Sequence, residues 1–219
     1  MRDLSISQEY YLCAVNEKGS ISSFAAEKLV CLVASALLDM KLADCIEIEN
    51  KRVQVIGDLP EELSFLDSLY DFIHVGKPVK VEKILEEYTY SMTDKRLKRL
   101  MADLGRSMEE DGITKEVVSG LFGGKSSYVP NQEAVELVID KVRAEMLEEG
   151  TVTEEVAALI VLLDISKSMK YYFSKYEQKK IKEKLERLLH DPSGKMVKGM
   201  VDYIQTMMTM SAILLTVYN

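Results

Sequence analysis

Leu4-Ser-Ile-Ser-Gln-Glu-Tyr-Tyr-Leu-Cys-Ala-Val-Asn-Glu-Lys-Gly19 reads as a capped amphipathic helix running to a glycine stop, after which Ser22-Ser23-Phe24 opens a new segment. Ser5 and Gln8 have capping-box spacing, in which the serine hydroxyl takes an amide three residues on and the glutamine reaches back to the serine amide. The stretch that follows, residues 22–43, is apolar nearly all round (Phe24, Leu29, Val30, Leu32, Val33, Leu37, Leu38, Met40, Leu42). A helix without a polar stripe has to be enclosed by other helices. Val156 to Leu163 and Met196 to Tyr218 have the same character, and amphipathic segments near 5–16, 60–75, 79–91, 94–111, 132–148 and 176–189 supply a covering layer. The expected fold class is therefore mostly α, with a central apolar helix bundle ringed by amphipathic helices. With 4 prolines, no low-complexity tract and no polar linker, residues 1–219 are expected to form a single domain.

Short β-hairpins interrupt the helices. Cys45-Ile-Glu-Ile and Val53-Gln-Val-Ile alternate with period two around Glu49-Asn50-Lys51-Arg52. A second hairpin is expected from Glu116 to Phe122 and from Ser127 to Val129, turning at Gly123-Gly124-Lys125-Ser126, since paired glycines supply positive φ. Pro130 then ends the strand and Asn131 is placed to cap the next helix.

Composition limits the function. At 47% apolar content over 219 residues a sizeable core is available, and the net charge of -8 argues against a broad electrostatic grip on nucleic acid or anionic lipid. Anion binding must then come from a local patch. Cys13, Cys31 and Cys45 lack CxxC spacing and read as buried, reduced thiols of a cytoplasmic protein. No apolar signal core is evident at the N-terminus, and the charge-free run Tyr203–Asn219 falls short of the ~20 apolar residues that a spanning helix needs.

No catalytic set, metal site or cofactor motif is legible. Gly124-Lys125-Ser126 lacks the earlier glycine of a phosphate loop, where Ser119 stands, and is followed by Tyr128, Val129 and Pro130 rather than by a helix. His74 and His190 have no zinc-site spacing. The acidic pairs fall mostly at predicted helix ends, where the dipole or solvent accounts for them. The informative cluster is Thr93-Asp-Lys-Arg-Leu-Lys-Arg-Leu-Met-Ala-Asp-Leu-Gly-Arg106, which puts Lys95, Lys98 and Arg99 on one helical face opposite Leu97, Leu100 and Leu104. A second basic stretch, Lys175 to Arg187, alternates with glutamates as an exposed, ion-paired helix does.

In order and spacing, the opening helix, the run Leu37–Glu49, Leu66-Asp67-Ser68-Leu69, Leu104–Ile113, Phe122–Asn131 and Ala157–Leu163 resemble the Golgi phosphoprotein 3 family of peripheral phosphoinositide-binding proteins. The resemblance implies a helical domain with a projecting hairpin used for self-association. It further implies a non-enzymatic role binding phosphatidylinositol 4-phosphate, through a pocket of one tryptophan and three basic residues. An ungapped match puts Phe24 at the tryptophan position, Val33 and Met101 at two of the basic positions and Lys98 at the third. Phe24 and Lys98 keep the chemistry, and Arg99 or Lys95 is expected to compensate. A basic N-terminal arm of the eukaryotic members is missing, which points to a bacterial relative. The expectation is a protein peripheral on the cytoplasmic membrane face. It binds an anionic phospholipid headgroup near Phe24, Lys98, Arg99 and Lys95, and self-associates through the hairpin near Phe122–Tyr128. The alternatives are a winged-helix-like DNA-binding regulator, with helix 94–106 as recognition helix, and an interaction scaffold without lipid binding.

Overall fold

The computed structural model describes residues 3–119, 124–190 and 195–218. The chain begins with α1 (Ile6–Ala14) and α2 (Ala26–Leu42), followed by β1 (Ile46–Glu49) and β2 (Arg52–Val55). A 3-10 segment (Glu61–Leu66) leads into α3 (Asp67–Ile73), then β3 (Val79–Lys80), α4 (Val81–Thr89) and α5 (Lys95–Arg106). The hairpin β4 (Thr114–Ser119) and β5 (Lys125–Pro130) precedes α6 (Gln132–Leu147), α7 (Glu154–Ile165), α8 (Met169–Tyr172), α9 (Lys175–His190) and α10 (Lys195–Tyr218). The protein is thus mostly α with short hairpins, as its periodicity leads one to expect.

The centre is α1, α2 and α7. All residues of α1 are buried, as are Leu29–Met40 of α2 and Val156–Leu163 of α7. The expectation for α1 and α10 is thereby exchanged. α1, with polar Ser7, Gln8 and Glu9, lies inside, packed on α2, α5, α6 and α7, whereas α10 buries one face and leaves Asp202, Gln205, Thr209 and Ile213 exposed. The reason is polar pairing. Asp39, buried within α2, accepts hydrogen bonds from the Ile6 amide (2.9 Å) and the Ser7 amide (3.0 Å). The capping box forms as the sequence predicts, with Ser5 N donating to Gln8 Oε1 (3.1 Å) and Gln8 N donating to Ser5 Oγ (3.4 Å). The four amides at the start of α1 are therefore all satisfied, which lets a helix end sit inside the protein. Glu9 is held by Lys141 Nζ at 2.9 Å from the surrounding α6.

The first sheet contains an element the sequence did not announce. β1 and β2 form the expected hairpin, paired antiparallel from Ile46↔Val55 to Glu49↔Arg52; Glu49 and Arg52, read as part of the connection, join the ladder and leave Asn50 (φ 49) and Lys51 (φ 60) as a two-residue turn. β3 adds a third strand through Val53↔Val79, too short to show a period of its own. In the second sheet the register runs from Thr114↔Pro130 to Ser119↔Lys125, so Lys125 and Ser126 are ladder residues rather than turn residues. The connection spans 120–124, and the expected turn residue Gly123, like Phe122, lies outside the described residues. Asn131 caps α6 as expected, accepting from Glu133 N at 3.0 Å.

Tyr128 pins this hairpin to the helices. Its carbonyl accepts from Tyr11 Oη (2.8 Å) and its hydroxyl from Arg106 Nε (3.2 Å). Two glycines make room for it. Gly19 is not the helix stop that the sequence suggests, because α1 already ends at Ala14; it sits in the following turn at φ +65, where a Cβ would lie 2.5 Å from the Tyr128 carbonyl oxygen. Gly105 in α5 would place a Cβ 2.3 Å from that of Tyr128.

Two stability predictions follow from these contacts. Burial pushes the Asp39 carboxyl up to about 6, against the pull of its hydrogen bonds from Ser7, Ser5 and Ile6. A folded-state value above the unfolded one means that stability is fully present below about pH 4 and is lost as pH rises through 6. Urea unfolding of wild type against Asp39→Asn is expected to show the difference between them moving in favour of wild type by about 2 kcal/mol on going from pH 7 to pH 4. Burial raises Glu9 in the same direction, so the asparagine variant keeps part of the pH dependence. For Gly105→Ala, the helix propensity gain of about 1 kcal/mol is outweighed by the clash with Tyr128, and a net loss of about 1–2 kcal/mol is expected as a lowered Tm.

Candidate functional site

α5 carries the basic cluster, and its register decides what that cluster does. Leu97, Leu100 and Leu104 are buried and fix the inward face. Successive residues turn by about 100°, so Arg96 and Arg99 emerge on one flank of the exposed face, Lys98 and Met101 on the other, and Lys95 at the crest between them. Neighbouring elements turn the two flanks into separate cavities. Lys98 faces a cavity of about 610 Å³ bounded by the turn after α1, the end of α4, α5 and β5. Arg99 lines a different groove, with Arg96 and Phe72. Lys95 is exposed and lines neither. The single face drawn from the sequence is thus divided, because 100° of helix is wide enough to straddle a seam between packed neighbours.

The Lys98 cavity has an apolar floor of Ile21, Leu29, Leu97, Met101 and Ala102. Its polar rim includes Lys18, Ser20, Ser23, Thr89, Asp94, Lys98, Ser126 and Ser127. Lys98 Nζ lies 3.3 Å from Asp94 Oδ2 in an exposed pair, so the lysine is oriented but only weakly engaged. Thr89 Oγ1 is buried and, among the described residues, has no hydrogen-bond partner. Ser127 Oγ donates to the Lys18 carbonyl (2.8 Å), fixing the turn that carries the second cation. Lys18 was not singled out from the sequence. Its signal was indirect: it stands beside Gly19, the residue that allows this turn to touch β5.

Phe24 follows the rim residue Ser23 and is 98% exposed, and Met92, between the rim residues Thr89 and Asp94, is 102% exposed. Val33, by contrast, is fully buried in α2 and cannot offer a donor.

The electrostatics of α5 are inverted relative to its dipole. Its first turns hold Lys95, Arg96, Lys98 and Arg99, no acid lies in the first turn, and Asp94 makes no side-chain cap. Cations at the positive helix end are unfavourable, and an anion there is favourable. The three cysteines are free and buried, and burial raises the pKa of each thiol. Among the described residues no group of three or more His, Cys, Asp or Glu side chains is placed to hold a metal ion, and no helix is long and apolar enough to cross a membrane.

No curated protein matches the chain. The sequence model of the family Golgi phosphoprotein 3 (GPP34) matches residues 6–204, a span running from α1 into α10 and containing every element of the cavity. The chain belongs to the Golgi phosphoprotein 3 family.

Proposed function

We propose that this protein is a non-enzymatic peripheral protein of the cytoplasmic membrane face that takes an anionic phospholipid headgroup, by family resemblance phosphatidylinositol 4-phosphate, into the Lys98 cavity. The observation that carries this reading is that Lys18 and Lys98 line one cavity, and that two fully exposed apolar side chains, Phe24 and Met92, lie on the segments that supply its rim residues Ser23, Thr89 and Asp94. A headgroup drawn toward the lysines brings the acyl region toward the rim, where Phe24 and Met92 leave water. Full burial of such a side chain is worth about 1.5–3 kcal/mol, and each charge-assisted hydrogen bond to phosphate about the same. Asp94 opposes the anion and has to give up its pairing with Lys98. Selectivity gains from that arrangement, because a net charge of -8 gives little adhesion to anionic surfaces in general.

Self-association through the β4–β5 hairpin belongs to the same proposal. Val117 and Val118 are adjacent in β4, point to opposite faces of the strand and are both exposed, which leaves both faces of the hairpin able to pack on a second copy.

Flotation with vesicles of phosphatidylcholine, with and without phosphatidylinositol 4-phosphate, tests the lipid reading. Wild type is expected to float with the phosphoinositide vesicles only. Lys98→Glu, and separately the pair Phe24→Ser with Met92→Ser, should each weaken this by about tenfold or more with unchanged circular dichroism. Equal flotation of wild type and Lys98→Glu contradicts the reading. Analytical ultracentrifugation of Val118→Lys tests the hairpin, with a shift toward monomer expected.

A further inference from the structure

The groove on the other flank of α5 also encloses about 610 Å³, and it shares no lining residue with the Lys98 cavity. Five cationic side chains line it, Lys77, Lys80, Lys83, Arg96 and Arg99, against the single carboxylate of Asp71. They are gathered from the loop after α3, from β3, from α4 and from α5. The pairing of β3 with β2, through Arg52↔Lys80 and Val53↔Val79, holds the lysine wall in place. The outlying carboxylates neutralise only part of this charge. Glu87 is shared between Arg96 (3.3 Å) and Lys83 (3.9 Å), and Asp103 lies 3.6 Å from Arg99. Among the described residues Lys77 and Lys80 have no carboxylate within 4.0 Å.

In a chain with 36 acidic and 28 basic side chains, five cations around one hollow is a concentration against the average. Like charges drawn together repel, and the repulsion is relieved when an anion occupies the space between them. Part of the groove is already ordered. The Arg96 guanidinium lies 4.6 Å over the Phe72 ring, which restrains its plane. Phe72, Val75, Pro78 and Val79 form an apolar wall that keeps the local dielectric below that of water. The volume falls in the range of small-molecule sites, roughly 300–1,000 Å³.

We infer that this groove is a second anion site, which takes a compact ligand bearing two or more phosphate groups between Arg96 and Arg99 on one wall and Lys77 and Lys80 on the other. The cations surround a compact volume instead of running along an extended stripe, which favours a small polyanion over an acidic protein segment. The planar donor fork of an arginine matches phosphate oxygens two at a time. The phosphates can arrive on a lipid headgroup or on a free molecule, since the same donors serve both.

Calorimetric titration of pyrophosphate into the full chain, at low and at physiological salt, is the test. The variants are Lys77→Glu with Lys80→Glu, Arg96→Lys, and Lys98→Glu. All four positions are exposed, so folding is expected to survive and circular dichroism checks it. Pyrophosphate should bind wild type, weaken about tenfold or more in the double lysine variant, and weaken in Arg96→Lys although the charge is kept. Lys98→Glu should leave it nearly unchanged, which separates this site from the headgroup cavity. Absence of pyrophosphate binding, or loss in Lys98→Glu alone, overturns the inference. So does equal weakening by Lys179→Glu on distant α9, which marks diffuse attraction, or tighter binding of hexaglutamate than of pyrophosphate, which assigns the groove to an acidic segment. A second arm uses phosphatidylcholine vesicles with and without phosphatidylinositol 4,5-bisphosphate. Flotation lost in the double lysine variant supports the inference with a lipid source, and pyrophosphate binding without flotation supports it with a soluble one.

Discussion

A single buried carboxylate governs how this chain is put together. Asp39 sits in the buried stretch of α2 and accepts from the first two amides of α1, at 2.9 and 3.0 Å. Burying an unpaired carboxylate is expensive, and burying a helix start with free amides is expensive as well. Each satisfies the other, so α1 enters the core at one position and in one orientation. Tyr11 is thereby aimed at the carbonyl of Tyr128, and the hairpin β4–β5 is drawn against α5 and the turn at Gly19. That hairpin contributes Ser126 and Ser127 to the cavity wall. A contact made wholly inside the protein therefore places residues at its surface.

α5 is the point where stability is given up. Four cations crowd its positive end, no acid lies in the first turn, and the carboxylates that offset them, Glu87, Asp94 and Asp103, do so in solvent-exposed pairs. The helix is retained by the burial of Leu97, Leu100 and Leu104 rather than by favourable charge. A helix of this kind is predisposed to meet anions. The chain belongs to the Golgi phosphoprotein 3 family, and beside α5 Val33 is buried in the core, Met101 lies on the cavity floor and Lys18 approaches from a turn.

Much of the fold was legible because its signals are local. The capping box at Ser5 and Gln8 and the Asn131 cap act within four residues and formed as read, and the first hairpin formed where it was read with a tighter turn. The exchange of α1 and α10 was not legible. Ser7, Gln8 and Glu9 look like a solvent face until Asp39 and Lys141, distant in sequence, are brought to them. Nor was β3, whose two residues pair only because β2 lies alongside. For the candidate site, the sequence drew attention to α5, Phe24 and Lys98; that Lys18 lines the same cavity as Lys98 emerged only from the packing of the Gly19 turn on β5.

The sequence by itself determined the helical class, the enclosed character of α2 and α7, the presence of the first hairpin and the basic character of α5. These depend on periodicity and on hydrogen bonds between near neighbours, which the order of residues specifies directly. Only the tertiary structure decided that Lys98 and Arg99, one residue apart, serve different cavities. The helix sets the angle between them at about 100°, but which hollow each side chain enters depends on the elements packed on either flank. Those are β5 and the Gly19 turn on one side, α3 and β3 on the other, and they are placed there by contacts that span most of the chain.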